Sequence, residues 1–230
     1  MNIFFDTEFT GLVPNTTLIS IGMITNGGQR FYAEFNDYNE ELCDDWIQEN
    51  VISNLLVDRN EWSTHFRFHQ DKSNELASYK GIYARVSHYL PDDTTFVYGD
   101  SKLIKEALKK WLYEVSVDPI TGQAEEKIQL VSDVSHYDMT LLCNLFGGAF
   151  NLPSNVNPVC YDICQDIWTF LEEDYTKLSD KMYNSFDVSR EELVNSINYD
   201  DEENKPSGNK HNSLYDAEVI RYLYKSLIGD

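Results

Sequence analysis

A chain of 230 residues, 42% hydrophobic and 13% aromatic, is long and apolar enough to bury a core, which excludes wholesale disorder and points to one domain. The net charge of −21 weighs against any broad basic surface for long polyanions. No apolar run is long enough to span a bilayer and Met1-Asn2-Ile3-Phe4-Phe5-Asp6 has no basic leader, so a cytoplasmic location without membrane contact is expected, with Cys43, Cys143, Cys160 and Cys164 as free buried thiols.

In chain order, residues 3–8 form an apolar and aromatic run of the kind buried on both faces of a sheet. Residues 18–25 and 29–35 flank the turn signal Asn26-Gly27-Gly28, which predicts a hairpin. An acidic, aromatic stretch at about 36–92 reads as an insertion, with helix expected over 44–56 and 72–90. Residues 95–98 are strand-like, and 102–113 have helical periodicity with Leu103, Ala107 and Trp111 on one side. Asp118-Pro119-Ile120-Thr121-Gly122 is a turn; 128–131 is a further strand, and 137–146 a helix stopped at Gly147-Gly148. A strand-to-helix unit recurs at 159–171, a polar loop occupies 200–210, and an amphipathic helix covers 213–227. Strands alternating with helices after an opening hairpin imply an α/β sandwich on a mixed sheet.

Three acids or pairs of acids lie where a plain core would not place them. Asp6 and Glu8 are two apart on the first strand, so both project from one face. Burying two like charges is costly without a cation, although both would be harmless if the strand ended at Asp6. Asp138 precedes Leu141, Leu142 and Leu145 at offsets of three, four and seven, which turns it inward; favourable placement against the helix dipole is the bland alternative. Asp216 heads the stripe of Ile220, Leu223 and Leu227 in the same way, and a Ser213–Asp216 capping box explains it equally well. His211 lies five residues earlier, where an imidazole can serve bound water.

Together these segments resemble the DEDDh branch of the DnaQ-like 3′-to-5′ exonucleases, in the RNase H-like superfamily. Phe5-Asp6-Thr7-Glu8-Phe9-Thr10-Gly11-Leu12 looks like the first motif of that family, and His136-Tyr137-Asp138-Met139-Thr140-Leu141-Leu142 is similar to the second. Lys210-His211-Asn212-Ser213-Leu214-Tyr215-Asp216-Ala217 resembles the third, a histidine followed after four residues by an aspartate. The interval between the first two motifs is longer than usual, so Asp100 or Asp133 are rivals for the third ligand, with Asp138 preferred for its following apolar face.

The resemblance implies a three-layer sandwich with a mixed, mostly five-stranded sheet flanked by helices, in one domain over 1–230. It implies two divalent ions, Mg2+ or Mn2+, held by Asp6, Glu8, Asp138 and Asp216, with His211 as general base and release of 5′ mononucleotides from RNA or DNA 3′ ends. Phe9 and Leu12 would pack against terminal bases, with core packing the alternative for Leu12. Asp45-Trp46-Ile47, Glu49-Asn50-Val51 and the continuation Glu218-Val219-Ile220 look like the small stand-alone bacterial and phage exoribonucleases, which favours RNA. Relatives in this superfamily often pair, so a homodimer is among the options. Divalent ions and a short binding site would also reconcile a polyanionic substrate with the charge of −21. Two rival readings remain: an acidic nucleic-acid mimic or interaction protein without catalysis, and a zinc protein using His65 and His69.

Overall fold

The computed structural model describes residues 1–57, 90, 91, 93–117, 121, 127–173, 188–197 and 205–229. Strands β1 (Asn2–Phe9), β2 (Leu18–Thr25) and β3 (Arg30–Phe35) form an antiparallel meander. Every residue of β2 is buried, as expected for a central strand of bulky β-formers covered on both faces. Gly28 takes φ +92° in the β2–β3 turn, a conformation that glycine adopts without a Cβ clash.

Beyond β3 the chain makes a 3₁₀ turn at Glu40–Leu42, a short helix α1 (Asp45–Asn50) and a second 3₁₀ turn at Ile52–Asn54. The helix expected in parts over 44–56 is thus found as α1 and the 3₁₀ turn that follows it. Next come β4 (Thr94–Gly99), α2 (Ser101–Ser116), β5 (Gln129–Ser132) and α3 (His136–Phe146). Strand β6 (Tyr161–Asp162) and helices α4 (Cys164–Glu173), α5 (Arg190–Ser196) and α6 (Ser213–Leu227) complete the order. Gly147 ends α3 with φ +85°, its N–H donating to the carbonyls of Asn144 and Cys143.

The sheet runs β4-β3-β2-β1-β5-β6, with β2 alone antiparallel to the rest. It is a mixed sheet flanked by helices, the α/β sandwich that was expected, but with six strands instead of mostly five. Strand β4 pairs in parallel along all of β3 from Arg30 to Phe35. One face, with Ile3, Phe5, Ile21, Met23, Phe31 and Ala33, packs under α1, α2 and α3. The other, with Phe4, Ile24 and Val131, packs under α4, α5 and α6.

Three expectations need correction. The buried stripe of α2 is Ile104, Leu108, Trp111 and Leu112, while Leu103 is exposed. Leu103 instead folds back over Gly99, where a Cβ would meet its Cδ2 at 2.5 Å, so the helix is turned one residue from the predicted face. Cys43, Cys143 and Cys160 are only half-buried, and Cys164 alone of the four is buried. The Ser213–Asp216 capping box is replaced by Asn212, whose side chain accepts from the N–H groups of Leu214 and Tyr215. The helix expected over 72–90, His65 and His69, and most of the 118–122 turn and of the acidic stretch lie outside the described residues. Among the described residues no helix is long and apolar enough to cross a membrane.

Candidate functional site

Alternation along β1 sends Phe4, Asp6 and Glu8 to one face and Ile3, Phe5 and Thr7 to the other. The two acids therefore share the α6 side, at the end of the strand where the ladder to β5 has already stopped at Phe4. A register slip between Glu8 and Phe9 bends the strand there.

Glycine at position 22 lets α6 reach this spot. Gly22 lies directly across from Asp6, and a Cβ on it would sit 2.3 Å from the backbone of Ser213 and Leu214. The first turn of α6 thus rests on bare β2 backbone, pinned by a 2.9 Å hydroxyl contact between Ser20 and Ser213. That contact delivers the next turn to the acids: ligand atoms of Glu8, His211 and Asp216 lie within 4.8 Å of one another.

Asp138 enters from the far side of β1. It is 5% exposed, and its Oδ1 accepts from the Thr7 N–H at 3.2 Å and the Thr7 hydroxyl at 2.5 Å. Its Oδ2 accepts from the Ser132 hydroxyl at 2.8 Å. Three donors leave a carboxylate with spare acceptor capacity. Thr7 separates Asp6 from Glu8, so Asp138 is fastened to the residue between them.

The electrostatics bind the four acids into one group. Burial raises Asp6 well above the carboxylate range, with Asp138, Asp216 and Glu8 adding to the rise. Glu8 is raised by burial, by the charges of Asp216 and Asp138, and by a hydrogen bond with Asp216. Burial lifts Asp138 to about 6 against the hydrogen bonds from Thr7 and Ser132. Burial likewise lifts Asp216 to about 7, opposed by the His211 backbone N–H. Among the described residues none of the four has a lysine or arginine in salt-bridge contact. Four carboxylates gathered without a lysine or arginine in salt-bridge contact, among the described residues, are a donor set that fits hard divalent ions, which would supply the missing positive charge.

His211 adopts φ +63°, a left-handed conformation that costs a non-glycine residue about 1 kcal/mol. Its N–H donates to Asp216 Oδ2 at 2.9 Å, and its Nδ1 lies 3.9 Å from Glu8 Oε1. Burial, then the Lys210 charge, push the imidazole below its ordinary range against the opposing charge of Glu191, and this shift favours the uncharged ring.

The two rivals to Asp138 are committed elsewhere. Asp100 caps α2 by accepting from the Leu103 N–H at 2.8 Å. Asp133 is gripped by Arg190 through both Nε and Nη2. Of the residues expected at the base-binding end, Phe9 stacks on Tyr137 with centroids 5.1 Å apart. Leu12 is 75% exposed, which removes the core-packing alternative.

Sequence reasoning passed over several residues that shape this site. Trp46, half-exposed, meets the His211 ring edge-on at 4.9 Å, a contact that nothing in its local sequence announces. Thr7 and Ser132 carry no signal until Asp138 is known to reach them, and Gly22 sits unmarked inside a uniformly buried strand.

A family model described as a 3′-5′ exoribonuclease Rv2179c-like domain matches residues 1–227. Two Mycobacterium tuberculosis proteins, 3′-5′ exoribonuclease Rv2179c of strain ATCC 25618 / H37Rv and 3′-5′ exoribonuclease MT2234.1 of strain CDC 1551 / Oshkosh, are each 33% identical over 55 residues. Each match spans 24% of this chain and only 33% of the length of the relative. Among solved structures, the Neurospora crassa Pan2 catalytic unit (protease and nuclease domain) is similar at a TM-score of 0.41 and 13% identity, covering 98% of this chain and 26% of that chain.

Proposed function

Because the chain belongs to the Rv2179c-like 3′-5′ exoribonuclease family, we propose that it is a divalent-metal-dependent nuclease of the DEDDh type that removes 5′ mononucleotides from RNA 3′ ends. The observation that carries this reading is the convergence of Glu8, Asp216 and His211 within 4.8 Å, with Asp6 beside them held protonated by burial and by the charges of Asp138, Asp216 and Glu8. An acidic mimic would display its charges outward, whereas these carboxylates are turned into the fold, so that alternative is not favoured.

Asp6, Glu8, Asp138 and Asp216 would hold the ions, Mg2+ or Mn2+, two by the resemblance. Bound there, the ions supply Lewis acidity that lowers the pKa of the attacking water and stabilises the departing 3′ oxygen. His211, neutral and half-exposed, takes the proton of that water as its oxygen bonds to phosphorus. The bond from phosphorus to the 3′ oxygen breaks with its electron pair on that oxygen, which takes a proton from solvent, leaving a 5′ mononucleotide and a new 3′ hydroxyl on the shortened strand. Thr7 and Ser132 fix the Asp138 carboxylate, so its orientation is set before substrate arrives. Leu12 and Trp46, both exposed, and Phe9, braced by Tyr137, offer apolar surface to the terminal bases. Base contacts of this kind tolerate any sequence.

A 5′-labelled ribo-oligomer and its deoxy counterpart, incubated with Mg2+, with Mn2+ and with chelator, test the proposal. A ladder of RNA products shortened from the 3′ end, dependent on metal and faster than for DNA, is expected. Internal cleavage, or shortening undiminished by chelator, would refute it.

A further inference from the structure

His211 stands in a loop whose backbone is not held by helix or sheet, yet both residues beside it are tied to one place. The Asn54 side-chain amide donates one hydrogen to the Lys210 carbonyl at 2.9 Å and the other to the Asn50 carbonyl at 2.6 Å. In return the Asn212 amide donates to the Asn54 carbonyl at 3.2 Å and to the Tyr32 hydroxyl at 3.2 Å, while its oxygen caps α6. Every polar hydrogen of both amides is thereby used, and the carbonyl partners fix which end of each amide is nitrogen.

The anchor beneath them is buried and hydrogen-bonded. Tyr32 donates its hydroxyl hydrogen to Glu34 at 2.8 Å, and both are fully buried on β3. Glu34 also accepts from the N–H groups of Leu56 at 2.6 Å and Val57 at 3.1 Å. A carboxylate at 1% exposure on a central strand is costly unless its acceptors are filled, and here they tie residues 56 and 57, just after Asn54, to the sheet. Helix α1, just before this segment in the chain, carries Trp46, whose ring meets the imidazole edge-on. Backbone and ring of His211 are thus both located by residues 46–57, outside the acidic motifs.

We propose that Asn54 is a positioning residue for the reaction, holding His211 in its left-handed conformation through the Lys210 carbonyl, with Asn212, Tyr32 and Glu34 as its fixed base. The inference rests on the exoribonuclease reading and deepens it. A base displaced by about 1 Å can lose about 100-fold in rate. Asn54→Ala is therefore expected to lower kcat by about 10- to 100-fold with KM unchanged. In a His211→Ala background the same substitution should cost nothing more, because the group it places is gone.

A readout independent of turnover is the imidazole NMR signal of His211, one of five histidines and assigned as the one missing from His211→Ala. It should move in Asn54→Ala and also in Asn54→Leu, which keeps volume but donates nothing and serves if the alanine variant does not fold. An unchanged kcat, an equal further loss on top of His211→Ala, or an unmoved signal would each overturn the assignment. A wild-type protein that shortens no RNA would remove the underlying nuclease reading, and this inference with it. That failure is seen in the wild-type arm before any variant is compared.

Discussion

Two groups of acids lie at the same end of the sheet and differ in what balances them. At the end of β5, Asp133 is matched by the Arg190 guanidinium, and Asp162 accepts from the N–H groups of Val134, Ser135 and Cys164 and from the Ser135 hydroxyl. Every charge there has a protein partner, and the result is a clasp that docks α5 onto β5. At the end of β1, Asp6, Glu8 and Asp216 gather with far fewer donors, and their proton affinities rise together. Burial of acids is common to both; missing compensation distinguishes the second. Buried acids without protein partners must be neutralised by bound protons or by a cation, which is why this corner is read as the reactive one.

The sharpest way to break this contrast is to remove one acid from each group. Asp6→Asn or Asp138→Asn should suppress nucleotide release by orders of magnitude, and His211→Ala by about 10²- to 10⁴-fold, with thermal melting still cooperative. Asp133→Asn should leave turnover per folded molecule within a few-fold. Comparable losses from Asp133→Asn and Asp6→Asn would dissolve the distinction.

Stability should sort the other way. Arg190→Ala strands the Asp133 carboxylate at a site where both side chains are 15% exposed, so a loss of about 3 kcal/mol is expected. For a chain of this length each kcal/mol is worth about 2–4 °C in Tm, so melting should fall by about 6–12 °C. Gly22→Ala forces a Cβ into the backbone of Ser213 and Leu214 and should cost about 1–3 kcal/mol. It should also lower activity, because α6 carries Asp216 away from Glu8. Full activity in Gly22→Ala would show that this helix placement does not matter.

The smallest effect is on pH dependence. A carboxyl whose folded pKa lies above its unfolded value of about 4 takes up protons on folding. Its contribution is complete below about pH 4 and is lost as pH rises through the folded value. With Asp138 lifted to about 6 and Asp216 to about 7, metal-free protein should lose stability between about pH 4 and 7. Divalent ions compete with those protons, so their affinity should increase over the same interval. Melting curves of metal-free protein at several pH values check the sign; a Tm that rises across this interval would contradict it.

Much of this was readable from periodicity. The i, i+2 spacing placed Asp6 and Glu8 on one face, and the leucine offsets turned Asp138 inward, because strand and helix periods fix direction whatever the fold. Helix α6 was found at its true bounds from its amphipathic stripe. What could not be read depends on tertiary neighbours. Asn212 displaced Ser213 as the cap because the Ser213 hydroxyl is drawn to Ser20 across 193 residues of sequence. The α2 face was misjudged by one residue because Leu103, as apolar as its neighbours, turns toward Gly99. Asn54 and Glu34 gave no signal, since a lone polar residue in a sequence does not reveal which loop it ties down.

Titration calorimetry with Mn2+ tests the central claim most directly, comparing wild type, Asp6→Asn, Asp216→Asn and Asp133→Asn at one pH. The account predicts that wild type and Asp133→Asn take up the ion with similar affinity and that Asp6→Asn and Asp216→Asn lose it. Uptake retained in Asp6→Asn and Asp216→Asn but abolished in Asp133→Asn would place the cation at the clasp and contradict the account.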